Sequence, residues 1–124
     1  MYDPSMAATS FRVVDERTDG NVAVFTVAVP EDCPFFEGHF PGRPVLPAIG
    51  QFAILTDLVQ RVAGSSVSLT GVDGFRLSRQ VSPGDQVEVR LEAFRAGDTV
   101  AFAIRCDGAL VSRGIARIAA RSVG

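Results

Sequence analysis

Residues 34–51 read PFFEGHFPGRPVLPAIGQ, and the organisation of the chain turns on this stretch. It holds the only histidine, His39, set between Gly38 and Gly42 and among several prolines. Proline fixes the backbone on either side, and glycine allows close approach to a ligand. Histidine is the one side chain whose unperturbed pKa suits proton transfer near neutral pH. A lone histidine is ordinarily a satisfied structural residue, but this punctuated setting favours a group held out to a ligand. From Pro47 to about Ala63 the pattern becomes helical, and Pro47 suits a first helical position because its missing N–H has no intrahelical partner to lose. Ala48, Ile49, Phe52, Ala53, Ile54, Leu55, Leu58, Val59 and Val62 make this run apolar almost all round, which predicts a buried helix. Gly64-Ser65-Ser66 terminates it.

Strand patterns lie on both sides. Residues 1–9 are small and polar without periodicity, so a frayed start is expected. Phe11 to Arg17 and Asn21 to Val29 read as strands joined at Asp19-Gly20 into a hairpin. After the helix come Val67 to Leu77 and, beyond the turn Ser82-Pro83-Gly84-Asp85, Gln86 to Phe94. In that strand Val87, Val89 and Leu91 alternate with Glu88, Arg90 and Glu92, a period of two that places one face on a core and one in water. Ala96-Gly97-Asp98 leads into Val100 to Cys106, and Asp107-Gly108 into Leu110 to Ala119. No repeat, linker or low-complexity segment interrupts the order. Five or six antiparallel strands with one apolar helix have an economical solution, an α+β domain whose sheet curls round the helix so that both bury their apolar faces.

The chain of 124 residues is long enough for one domain spanning 1–124 with a single core. A net charge of −2 offers no general attraction to nucleic acid or to an anionic membrane. All twelve basic residues are arginines. Cys33 and Cys106 lack metal or redox spacing, and with one histidine no zinc site assembles within a chain. No cofactor or metal is therefore expected. Residues 1–10 lack the features of a signal peptide, and no apolar run approaches the roughly 20 residues that span a bilayer. These features point to a reduced, cytoplasmic protein.

The stretch PFFEGHFPGRPVLP resembles the signature of the FabA/FabZ-type beta-hydroxyacyl-(acyl carrier protein) dehydratases, approximately F-F-x-G-H-F-P-G-x-P-V-M-P-G. A second block, GVDGFRLSRQVSPGDQVEV from Gly71 to Val89, is similar to that family's G-I-D-x-x-x-F-x-R-P-V-x-P-G-D-x-L-x-[VLI] with the spacing kept. The resemblance covers roughly residues 10–119. It implies the hotdog fold, a curled antiparallel sheet of five or six strands round a central helix. It also implies a homodimer or a higher assembly of dimers, with the active tunnel at the subunit interface.

In the resembled enzymes a histidine removes a proton from C2 of a 3-hydroxyacyl thioester while a carboxylic acid protonates the departing C3 hydroxyl. A backbone N–H at the start of the helix polarises the thioester carbonyl. Carried over by position, His39 matches the base, and Ala48 takes the place of the glycine whose N–H meets the carbonyl. The carboxylate position falls on Ala53, which has no proton to give. Asp57, one turn on, is the replacement the helix offers, although its bland reading is a partner for an arginine. Glu37 reads more simply as a solvated carboxylate, and Gln51 lies nearly opposite position 53 round the helix. Gly38, Phe40, Ile49, Phe52 and Ala53, with Ala48, are the expected substrate contacts. Arg43, Arg76 and Arg79 are expected to meet an acidic carrier protein, against the alternative of solvated charge.

Three readings follow. The chain is an enzyme on acyl thioesters of acyl carrier protein or CoA in fatty-acid or polyketide-type biosynthesis, with His39 as base. Its reaction is then dehydration with an atypical acid, or thioester hydrolysis or isomerisation with one proton-transfer group. Alternatively it is a non-catalytic subunit paired as a heterodimer with a complete paralogue, or an acyl-binding module without chemistry.

Overall fold

The computed structural model describes residues 11–30, 48–64, 67–82, 84–93 and 99–120. Its elements run β1 (Arg12–Asp19), β2 (Val22–Ala28), α1 (Ala48–Ala63), β3 (Val67–Leu77), β4 (Gln86–Ala93), β5 (Thr99–Cys106) and β6 (Ala109–Ala120). The strands form one antiparallel sheet in the order β1-β2-β4-β5-β6-β3. The sequence-based boundaries agree to within two residues, while Phe94 and Pro47 lie outside the described residues.

Local chemistry explains the turns. Gly20 sits at φ 59°, a conformation open to glycine at no steric cost, and closes the β1–β2 hairpin. The β5–β6 connection places Asp107 at φ 52° and Gly108 at φ 79°. Two consecutive left-handed residues are what a two-residue hairpin turn matched to strand twist requires, and Asp-Gly is a favoured pair for it.

The concave face is apolar because alternate residues of every central strand point inward. Phe25 and Val27 of β2, Val87 and Val89 of β4, and Phe102 and Ile104 of β5 are buried against Ile54, Leu55, Leu58 and Val59 of α1. Register shifts between Val13 and Asp15, Leu69 and Gly71, Asp73 and Arg76, and Ile104 and Arg105 interrupt the pairing. Irregularities of this kind bend strands and increase their twist, which lets a flat ladder wrap a helix. This is the curled α+β arrangement that the hotdog resemblance implies. One residue departs from the expected all-buried helix: Val62 is 53% exposed. It falls in the last turn, beside the exposed Arg61, where the helix leaves the sheet's cover.

Two side-chain hydrogen bonds fix which end of the helix meets which end of the sheet. In the first turn Gln51 meets Ser112 of β6, and in the last turns Gln60 Nε2 donates to the carbonyl of Val67 at 3.1 Å. No described helix is long and apolar enough to cross a membrane.

Leu55 is fully buried at the centre of α1. Leu55→Ala is expected to lower the unfolding free energy by about 2–5 kcal/mol, read by urea denaturation. A loss well under 1 kcal/mol would place this face of the helix outside the core.

Candidate functional site

The end of the sheet that meets the first turn of α1 gathers six strand ends. β2 ends there at Ala28, β3 at Leu77 and β5 at Cys106, while β1, β4 and β6 begin there. Backbone bonds lace these ends together. Val29 N donates to the Asp85 carbonyl at 2.9 Å, and Gly84 N donates to the Val29 carbonyl at 2.9 Å. Ser78 N and Arg79 N both donate to the Val111 carbonyl, at 2.7 and 3.3 Å. The chain leaves this end after β2 and returns to it at Ala48, so the stretch carrying His39 connects two fixed points. His39, Gly38, Phe40 and Arg43 lie outside the described residues.

α1 begins at Ala48, and its first turn contains no acidic residue. The first N–H groups of any helix lack intrahelical partners and carry the positive end of its dipole. Ala48 and Ile49 therefore bring a donor-rich helix start, with no acidic residue in its first turn, to this end of the sheet. Phe52 packs edge-on to Phe75, with ring centroids 5.1 Å apart and planes at 71°, and Phe75 in turn lies 6.5 Å from Phe102. Phe52 and Phe75 are thereby held against the core by ordinary aromatic packing. Ala53 is 1% exposed. Asp57 accepts from Arg61 Nε at 3.3 Å, the i,i+4 ion pair that helix geometry favours. Arg76 is exposed and stands opposite Arg113 in the β3–β6 register. Arg79 is also exposed, and its guanidinium donates to the Cys106 carbonyl at 3.4 Å. Of the three arginines expected at a carrier contact, Arg76 and Arg79 are thus both exposed near the end of β3.

Two features were not expected from the sequence. The first is a buried polar pair. Ser112 Oγ donates to Gln51 Oε1 at 2.7 Å, and both residues are fully buried. Among the described residues Gln51 Nε2 has no hydrogen-bond partner. One hydroxyl can satisfy only one of the two terminal atoms of an amide, so a buried polar atom is left over whichever way the amide faces. An orphan of this kind costs about 1–3 kcal/mol. The inward side chain at 112 was obscured because the register shift between Ile104 and Arg105 breaks the alternation a reader would count.

The second feature is Cys106, a buried free thiol. Burial pushes its pKa up, the charges of Asp85 and Asp107 push the same way, and Arg79 opposes them. A hydrogen bond from the thiol to the Asp85 carboxylate, which also accepts from Ser82 N at 2.9 Å, adds to the rise. This is the opposite of what activates a nucleophile, because a reactive cysteine needs its thiolate favoured. Among the described residues no cluster of three His, Cys, Asp or Glu could hold a metal ion.

Comparison with known proteins places this geometry in context. Residues 15–115 match the ApeI-like family, described as ApeI dehydratase. The chain is 36% identical over 123 residues to the 3-hydroxyacyl-(acyl-carrier-protein) dehydratase FabZ of Chloroflexus aggregans, a match covering 82% of this chain and 83% of that one. It is 36% identical over 91 residues to the FabZ of Pelotomaculum thermopropionicum, covering 66% of this chain and 64% of the relative, just under two thirds of its length. A chain of the dehydratase heterocomplex ApeI:P from Xenorhabdus doucetiae superposes with a TM-score of 0.77 at 17% identity, over 86% of this chain and 96% of that one. That likeness establishes the hotdog fold.

Ser112→Ala leaves the whole Gln51 amide unpaired and is expected to cost about 1–3 kcal/mol. Adding Gln51→Leu removes both polar partners, and the double variant is expected to be at least as stable as the parent. Urea denaturation of the single and double variants checks this, and a double variant weaker than Ser112→Ala contradicts it.

Cys106 also sets a pH dependence. With its folded pKa raised, the native chain keeps a proton that the unfolded chain has released, so stability falls as pH rises. Its contribution is intact below the ordinary thiol value of about 8.5 and is lost as pH climbs from there toward the raised folded value. Unfolding curves across this alkaline window are expected to show the decline, and Cys106→Ala to flatten it.

Proposed function

Because the chain belongs to the ApeI-like dehydratase family, we propose that it is a hydro-lyase acting on a 3-hydroxyacyl thioester, with His39 as the proton-transferring base. The observation that carries this reading is the family match through residues 15–115, which takes in both the His39 segment and the start of α1. The thioester carbonyl rests on the Ala48 amide. As the C2 proton leaves, negative charge develops on the carbonyl oxygen, and a helix N-terminal amide meets that charge without reorganising. The absence of acidic residues from the first turn supports this assignment. His39 takes the C2 proton, the C3–O bond breaks, and the hydroxyl departs as water, leaving a 2,3-enoyl thioester.

The proton inventory closes with one group. The imidazolium formed by abstraction can return its proton to the departing hydroxyl, so the alanine at position 53 does not forbid the reaction. Asp57 is a less direct donor. It lies four residues beyond position 53, roughly 6 Å along the axis, and is engaged with Arg61, so it acts only through a water. Gly38, Phe40, Ile49, Phe52 and Ala53 complete the substrate contacts. The substrate rides on an acyl carrier protein, the carrier for which the FabZ relatives are named, with CoA as the alternative. Arg43, Arg76 and Arg79 meet the carrier's acidic surface. The setting is a cytoplasmic biosynthetic one of fatty-acid or polyketide type, and the unit is a dimer or an assembly of dimers.

A second reading is favoured by one observation. Ala53 is buried and apolar where the resembled enzymes carry their acid, and the structural neighbour ApeI:P is by name a heterocomplex. In this reading a second hotdog chain supplies the carboxylate and this chain supplies His39.

His39→Ala is expected to slow enoyl-thioester formation by at least about 10²-fold, followed by ultraviolet absorbance. Parent-like turnover ends both readings. Ala53→Glu separates them: a parent inert alone but rescued by Ala53→Glu, or by mixing with a second hotdog chain, supports the paired reading. An active purified homodimer excludes that reading and leaves the proton transfers to His39, alone or with Asp57 through a water.

A further inference from the structure

At the end of the sheet away from the first turn of α1, a cavity of about 450 Å³ opens between the last turns of the helix and the sheet. Its floor is made by Ala23, Val59, Leu91 and Val100, all buried. Val62, the half-exposed residue that the sheet does not cover, stands among its walls. The remaining polar lining, Thr18, Asn21 and Thr99, is neutral, and among the described residues no charged side chain contributes.

This cavity is separate from the reaction site. Val59 and Val62 stand eleven and fourteen residues beyond Ala48, roughly 16–21 Å along the axis. The interior between is filled by Ile54, Leu55 and Leu58, each essentially inaccessible. A chain bound at the helix start cannot thread the core of the same subunit to reach it.

We propose that this cavity takes the hydrocarbon chain of a single-chain amphiphile, as a second binding site. Its volume falls in the range of small-molecule pockets, about 300–1,000 Å³. An apolar floor offers water none of the two to four polar partners that hold it in place, so displacing water is favourable. The apolar floor of Ala23, Val59, Leu91 and Val100 suits a neutral alkyl chain, with the head group at Thr18, Asn21 and Thr99.

Calorimetric titration of the full chain with n-octanol, n-decanol and n-dodecanol tests this. Affinity is expected to tighten about fourfold per added methylene, with a negative heat-capacity change. Val59→Phe fills the cavity and is expected to abolish binding while leaving the melting temperature equal or higher. Val62→Asp, at a half-exposed position, places a carboxylate in the wall and is expected to weaken binding at least tenfold. No binding, affinity independent of chain length, or unchanged affinity in Val62→Asp overturns the proposal, as does retained binding in a folded Val59→Phe. The readout is binding alone, so an active enzyme that takes up no alkanol refutes this site and leaves the proposed reaction standing.

Discussion

The burial of α1 against the concave face of the sheet is the constraint from which the rest follows. A helix carrying Ile54, Leu55, Leu58 and Val59 must remove these side chains from water, and β2, β4, β5 and β6 present matching apolar rows. Wrapping that many strands round one helix demands curvature, which the register shifts in the β1–β2, β3–β6 and β5–β6 ladders relieve. Gln51 with Ser112 and Gln60 with the Val67 carbonyl then pin the helix at both ends. Its axial position is set, and with it the place where its first amides emerge.

The two ends so defined differ in chemistry. At the first-turn end, loop backbones are cross-bonded through Val29, Asp85 and Val111, and polar groups are buried or half-buried: Gln51, Ser112 and the thiol of Cys106. The Gln51 amide carries a local cost in its unmatched nitrogen among the described residues, and the Cys106 thiol resists ionisation. At the far end the lining is hydrocarbon with a neutral rim. A single buried helix thereby separates a polar, donor-rich pole from an apolar one. The proposed function places dehydratase chemistry at the polar pole.

Much of the fold was legible in the residues themselves. The alternation through Gln86–Ala93, the Asp-Gly turn at Asp107-Gly108, and the change from a period of two to a helical pattern near Pro47 each reflect local physics that tertiary contacts reinforce. Strand order was not legible in that way. β3 pairs with β6 rather than with β4, its neighbour in sequence, and no local signal dictates a pairing made across the crossover. The curled arrangement followed from one apolar helix among antiparallel strands, and the family resemblance identified it as the hotdog fold. The site was legible less evenly. The i,i+4 spacing of Asp57 and Arg61 announces their ion pair, whereas Ser112 was hidden by a register shift and Gln51 by its position opposite the residue that drew attention. Val62 reads as core by composition yet is half exposed, because a helix end outlasts the sheet that covers it.

The central claim is that the start of α1 is the anchor for a thioester carbonyl. A crystal structure of the chain with a non-hydrolysable 3-hydroxyacyl thioester analogue tests it most directly. The account predicts the carbonyl oxygen within about 3.2 Å of the Ala48 amide nitrogen, with C2 facing the imidazole of His39. A carbonyl bound away from the first turn of the helix, or an analogue whose C2 lies beyond reach of His39, would contradict it.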